Sequence, residues 1–251
     1  MIKRTGVCIA VLVMLASGPW ANPAHARRAS TGPRIVRFAG YDWTVKTSGR
    51  RLVGPGPNYF SAAPEHVWVD GYGRLHLRIA RSAGRWTAAE IVSTASFGYG
   101  TYRFFLDTPV DALPSSVVLG LFTWDDDPTF AHREIDIEFS RWSDPSTAVN
   151  AQYAVQPYEL PDHLRTFVQP PLVPSTHAFT WRADAIFFQS LAGSLATPVL
   201  PSDVIQEWTY AGAVPPAGGE HARLNLWLFQ SVPPADGQPV EVVVADFEFV
   251  P

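Results

Sequence analysis

Apolar and polar residues alternate with a period of two over much of the chain, the side-chain period of a β-strand. Arg74-Leu-His-Leu-Arg-Ile79 is the cleanest case. The pattern predicts strands at His66–Asp70, Arg74–Ile79, Thr101–Leu106, Val117–Trp124, Arg133–Phe139, Ala148–Val155, His177–Arg182, Ala185–Gln189, Arg223–Phe229 and Val240–Val250. Gly and Pro fall between them as turn residues, as at Gly71–Gly73. Helical spacing is confined to Ser202–Trp208, where one turn is expected. There is no internal repeat, heptad pattern or low-complexity linker. Many short strands of this kind predict an all-β domain, a two-sheet antiparallel sandwich of jelly-roll type with a concave face for ligand.

Within this pattern Glu134-Ile-Asp-Ile-Glu138 stands apart, followed by Phe139. In a strand, Glu134, Asp136 and Glu138 share one face, and Ile135, Ile137 and Phe139 share the other. A solvated strand face and a calcium site made of oxygen ligands are the alternatives for such a row. Like charges on one sheet face repel, so the row has a cost that a function can explain. Carboxylates held together acquire separated pKa values, one ionised while another keeps its proton. Cleavage of a glycosidic bond by a nucleophile and a general acid needs that division.

Composition narrows the class. The chain has 251 residues and is 47% hydrophobic, enough for a sizeable core. Lys3 and Arg4, the apolar run Val7–Ser17 and the small-x-small Ala24-His25-Ala26 read as a secretory signal peptide over residues 1–26, leaving 27–251 as one domain. That run is short of the ~20 residues a membrane helix needs. The one cysteine, Cys8, lies in the signal segment, so disulfides and thiolate metal sites are not expected in the mature chain. The mature chain carries 17 basic and 23 acidic side chains, a balance that disfavours nucleic acid and, unless a local basic patch overrides it, an acidic polysaccharide. No metal or cofactor is implied: His132, His177 and His221 form no ligand set, and neither a Gly-x-Ser-x-Gly elbow nor a phosphate loop is present.

Several segments, in order, carry a family resemblance. Glu134-Ile-Asp-Ile-Glu138-Phe139 resembles the active-site signature of glycoside hydrolase family 16, the lichenase and xyloglucan-modifying jelly-roll enzymes. Tyr99-Gly-Thr-Tyr102 resembles the strand before the catalytic one. His177-Ala-Phe-Thr-Trp181, followed by Leu191-Ala-Gly193, resembles the family's His-x-Phe-x-Trp strand and turn. Leu224-Asn-Leu-Trp227 looks like its Asn-Leu-Trp strand, and Val244–Val250 like its last strand. The resemblance spans residues 40–250. It implies Glu134 as nucleophile, Glu138 as general acid/base and Asp136 between them as a tuner. Strand positions i and i+4 lie ~13 Å apart at the backbone, and long Glu side chains leaning inward can approach the ~5–5.5 Å of retaining enzymes. The strand has no inserted residue between Ile137 and Glu138, the form the resemblance associates with β-1,4-containing glucans.

The resemblance also implies sugar contacts at Asn225 and Trp227. It places a Glu-x-Arg pair after the Tyr-Gly-x-Tyr step, where this chain has Arg103 and Phe105, so Arg103 becomes a substrate-binding candidate for a different or decorated glycan. His132-Arg133 stands where the family often has Trp-x. Trp124 and Trp142 flank the catalytic strand as sugar platforms or core aromatics. Gln152, one strand on, and Asn58, in a Gly/Pro turn, complete the candidates. The Asp125–Asp127 loop reads as a solvated turn. The expectation is a secreted or periplasmic monomer acting on a polysaccharide, as a hydrolase, a transglycosylase or a non-catalytic binder.

Overall fold

The computed structural model describes residues 32–251; the signal-peptide segment lies outside the described residues. The strands are β1 Ile35–Phe38, β2 Tyr41–Val45, β3 Val67–Val69, β4 Leu75–Ser82, β5 Arg85–Thr87, β6 Ala89–Ser93, β7 Gly100–Leu106 and β8 Val117–Trp124. They continue with β9 Ile135–Phe139, β10 Ala151–Val155, β11 Leu164–Phe167, β12 Ser175–Trp181, β13 Ile186–Ala192, β14 Val204–Tyr210, β15 His221–Leu228 and β16 Val240–Val250. Two antiparallel sheets form a sandwich. One runs β1-β2-β6-β15-β8-β9-β10-β11 and the other β14-β13-β12-β7-β16-β4-β3, with β5 paired to β4. The predicted two-sheet jelly-roll class is the class observed.

Alternation decides what fills the space between the sheets. Ile135, Ile137 and Phe139 of β9 point inward, as do Leu119 and Leu121 of β8, and Leu224 and Leu226 of β15. They meet Tyr102 and Phe104 of β7, Phe179 and Trp181 of β12, and Phe188 of β13. Trp181, whose face the sequence left open, is fully buried and donates Nε1–H to the Pro215 carbonyl at 3.1 Å. His177 is also buried. Its ring bonds Ser190 Oγ at 2.8 Å and Ser175 Oγ at 2.9 Å, and burial lowers its pKa to about 3, so it stays neutral.

Residues 202–208 correct an expectation. Pro201–Asp203 forms a short 3-10 turn, and Val204–Tyr210 is the edge strand β14, pairing with β13. Edge strands bury one face intermittently, so Ile205 and Trp208 mimic helical spacing. Among the described residues no helix is long and apolar enough to cross a membrane.

Candidate active site

The outward faces of β6, β15, β8, β9 and β10 line up by register. One rung reads Glu90 on β6, Asn225 on β15, Gly120 on β8, Glu138 on β9 and Gln152 on β10. The next reads Val92, Arg223, Phe122, Asp136 and Ala154. The register of β9 against both neighbours runs without a shift, so the strand carrying the carboxylate row is unbulged. A cavity of about 460 Å³ lies over these rungs, lined by the three carboxylates with Trp124, Arg223, Asn225 and Trp227 among others.

Glu134 precedes β9 but has extended backbone (φ −85°, ψ 122°), which keeps it in phase with Asp136 and Glu138. The turn before it is unusual. Phe130, Ala131, His132 and Arg133 all have φ between 50° and 61°, a left-handed conformation that costs non-glycine residues energy and persists only where surroundings enforce it. Several contacts do so. The His132 ring stacks on Trp124 at 4.0 Å with 11° between planes, and His132 Nδ1 bonds the Asp125 carbonyl at 2.8 Å. Arg133 Nη1 donates to Asp125 Oδ2 at 2.7 Å, and its Nε to the Pro216 carbonyl at 3.0 Å. Thr123 Oγ1 donates to the Arg133 carbonyl at 2.8 Å. A Cβ at Gly218 would lie 2.4 Å from Arg133 Nε, so only glycine leaves that arginine its place. Asp125 is thus a buried anchor and not part of a solvated turn, while Asp126 lines the cleft and accepts from Arg223 Nη2 at 3.2 Å.

Glu138 and Asp136 each have a hydrogen-bond donor, and the Arg223 cation acts on Glu134. Gln152 Nε2 donates to Glu138 Oε2 at 2.8 Å. Gln156 Nε2 donates to Asp136 Oδ2 at 3.1 Å, and its amide is oriented by the Tyr158 N–H, which donates to Gln156 Oε1 at 3.0 Å. Burial raises Glu134 to about 8, aided by repulsion from Glu138 and opposed by the Arg223 cation. Burial, then repulsion from Glu134 and Glu138, holds Asp136 well above the usual range. Burial raises Glu138 to about 7 against the lowering pull of the Gln152 donor. The three share protons as one set, and the row keeps at least one proton at neutral pH.

The predicted site residues divide three ways. Asn225, Trp227 and Trp124 line the cavity. Asn225 Oδ1 is buried without a partner, and a Cβ at Gly120 would lie 2.5 Å from it, so the absent side chain opens the floor beside Glu138. Gln152 acts through Glu138. Trp142 and Asn58 support: Trp142 packs edge-on against Trp227 and Phe229, and Asn58 bonds both backbone groups of Leu228, which fixes the Gly54–Pro57 loop. Arg103 is a correction. It lies on β7 in the other sheet, flanked by core-facing Tyr102 and Phe104, so it points to the outer face, where it pairs with Glu248. Three further charged residues of the cleft, Lys46, Glu90 and Arg223, were missed. Glu90 is fully buried between Lys46 Nζ at 2.7 Å and Arg223 Nη1 at 3.3 Å. A lone glutamate in the apolar stretch Ala89–Ser93 was the available signal.

In the solved structures, the chain is similar to β-glucanases. The Bacillus licheniformis β-glucanase superposes with a TM-score of 0.62 at 20% identity, covering 89% of this chain and 100% of that one. SCLam, described as a non-specific endo-β-1,3(4)-glucanase from glycoside hydrolase family 16, superposes at 0.60 with 14% identity over 82% and 83%. Rv0315 of Mycobacterium tuberculosis, described as an immunostimulatory antigen and pseudo β-1,3-glucanase, does so at 0.56 with 20% identity over 81% and 88%. No protein-family model and no curated protein matches the chain. The chain has the glycoside hydrolase family 16 type of fold.

Proposed function

We propose that the protein is a secreted, retaining endo-β-glycanase that cuts a β-glucan by double displacement. The observation that carries this reading is the Glu134–Asp136–Glu138 row on the floor of the concave cavity, each member with a separate electrostatic partner. Glu134 is the nucleophile and attacks the anomeric carbon. Glu138 protonates the departing glycosidic oxygen, then takes a proton from the water that opens the glycosyl ester. The configuration is retained because two displacements occur.

Burial raises Glu134 and Glu138 together, so in the free protein the row holds a shared proton. Turnover needs the proton on Glu138. Two features favour that placement on binding: a glycosidic oxygen accepts a hydrogen bond only from protonated Glu138, and the Arg223 cation favours ionised Glu134. Trp227 and Trp124 offer ring faces to sugar, and Asn225 lines the same cavity. The neutral β-glucan preference rests on the acidic balance of the cleft, where Glu90, Asp126 and the catalytic row outnumber Lys46 and Arg223.

A second reading, a glucan binder without turnover, is supported by the likeness to Rv0315, which is described as a pseudo β-1,3-glucanase. A hydrolysis screen against barley β-glucan, xyloglucan, laminarin, agarose, carrageenan and chitin oligosaccharides separates the two. Release of new reducing ends from a β-glucan supports the enzyme. Rearranged chain lengths without new ends indicate transglycosylation. Binding with no cleavage of any member supports the binder.

A further inference from the structure

Behind the loop that walls the cleft lies a second groove. Val53, Gly54 and Pro55 face the cleft, whereas Leu52 and Pro57 face a cavity of about 230 Å³ that shares Tyr59 and Arg85 with an adjoining one of about 310 Å³. The partition is fixed: Lys46 Nζ donates to the Gly54 carbonyl at 2.8 Å, and Asn58 Nδ2 to the Leu228 carbonyl at 2.9 Å.

The charge of this region is opposite to that of the molecule. No Asp or Glu occurs between Lys46 and Pro64, or between Gly71 and Ala89. These two stretches meet where Ala88 and Tyr59 exchange backbone contacts, with Ala88 N–H donating to the Tyr59 carbonyl at 2.7 Å. Among the described residues Arg50, Arg51, Arg81 and Arg85 have no carboxylate partner, whereas Arg133 and Arg223 at the cleft are each paired to one or more. Arg85 lies over the Tyr59 ring at 5.0 Å and Arg81 over Trp86 at 5.7 Å, so aromatic faces hold the guanidinium planes and leave their N–H edges free. Thr47 and Ser82 add hydroxyls to the lining.

We propose that this groove binds an anionic saccharide, with Arg50 and Arg85 taking its carboxylate or sulfate groups and Tyr59 or Trp86 taking the apolar face of its ring. A guanidinium fork matches the geometry of either anion. An aromatic face beside it suits a ring with one apolar side. Glycan is favoured over nucleic acid because the two cavities are short and bounded by the cleft loop, unlike the long groove that tracks a nucleic-acid backbone. The groove requires nothing of the catalytic row, so it stands whether or not the cleft turns over.

The test is affinity electrophoresis of the mature chain through gels containing polygalacturonate, dextran sulfate, barley β-glucan or oligo(dT), at low and raised salt. The expected result is retardation by polygalacturonate or dextran sulfate that falls as salt rises; which one retards the chain identifies the anion. Arg50→Glu, at an exposed position, should weaken that binding about tenfold or more, the scale of losing a charged hydrogen bond. Trp86→Ala should weaken it as well, which charge alone does not require. Hydrolysis of glucan by Arg50→Glu should be unchanged, which reads the cleft separately. Absence of retardation by both anionic polymers, retardation that Arg50→Glu leaves intact, or equal retardation by oligo(dT) would overturn the proposal.

Discussion

Replacing Glu134 by Gln should make the protein more stable at pH 8, although the change removes the proposed nucleophile. Glu134 is carried from an ordinary 4.5 to about 8, chiefly by burial. A carboxyl whose folded pKa is raised binds its proton more tightly in the native state than in the unfolded chain. The native state then holds more protons between pH 4.5 and 8, and stability falls as pH rises through that window. At 1.36 kcal/mol per pH unit the ionised group costs up to ~5 kcal/mol at pH 8. The Gln amide must itself find partners in the buried floor, so the net gain is set at ~2 kcal/mol. For a domain of this size that raises the melting temperature by about 4–8 °C. Below pH 4.5 wild type carries the proton too, so the advantage vanishes and the variant, still bearing the cost of the amide, should melt below wild type. Differential scanning calorimetry of both from pH 4 to pH 8.5 measures the divergence. A Glu134→Gln variant that melts below wild type at pH 8, or by a constant difference at every pH, would refute the claim that burial strains the ionised row.

Other consequences are as direct. Gln152→Leu removes the donor that lowers Glu138, so Glu138 rises above about 7 and the alkaline limb of the pH profile of kcat/KM moves to higher pH; an unmoved limb would separate Gln152 from the acid. Gly120→Ala places a methyl 2.5 Å from Asn225 Oδ1, which should raise KM and destabilise the fold by about 1–3 kcal/mol, the cost of overpacking. Arg103→Ala, on the outer sheet, should leave kcat/KM on glucan unchanged; a loss of activity would contradict its placement.

The strands that alternate cleanly were legible in sequence, and so was the carboxylate row, because a period of two fixes faces without reference to neighbours. The edge strands β11 and β14 were not. β11, Leu-Arg-Thr-Phe, buries only Phe167, and β14 exposes enough of both faces to imitate a helical turn. Periodicity also fixes a residue's face but not its sheet. Arg103 alternates correctly with Tyr102 and Phe104, yet β7 belongs to the sheet opposite β9. Partners supplied from a distance were the least legible: Arg223 reaches Glu90 across 133 residues of chain. The left-handed turn at 130–133 contains no glycine, the residue that would have announced it.

The most direct test of the proposed chemistry is the anomeric configuration of the first product, followed by proton NMR, for wild type and for Glu134→Ala with added azide on a cleavable β-glucan. The expected result is a β-anomer released first by wild type, no turnover by Glu134→Ala alone, and an α-glycosyl azide when azide replaces the missing carboxylate. An α-anomer released first by wild type, or undiminished hydrolysis by Glu134→Ala, would contradict Glu134 as the nucleophile of a retaining enzyme.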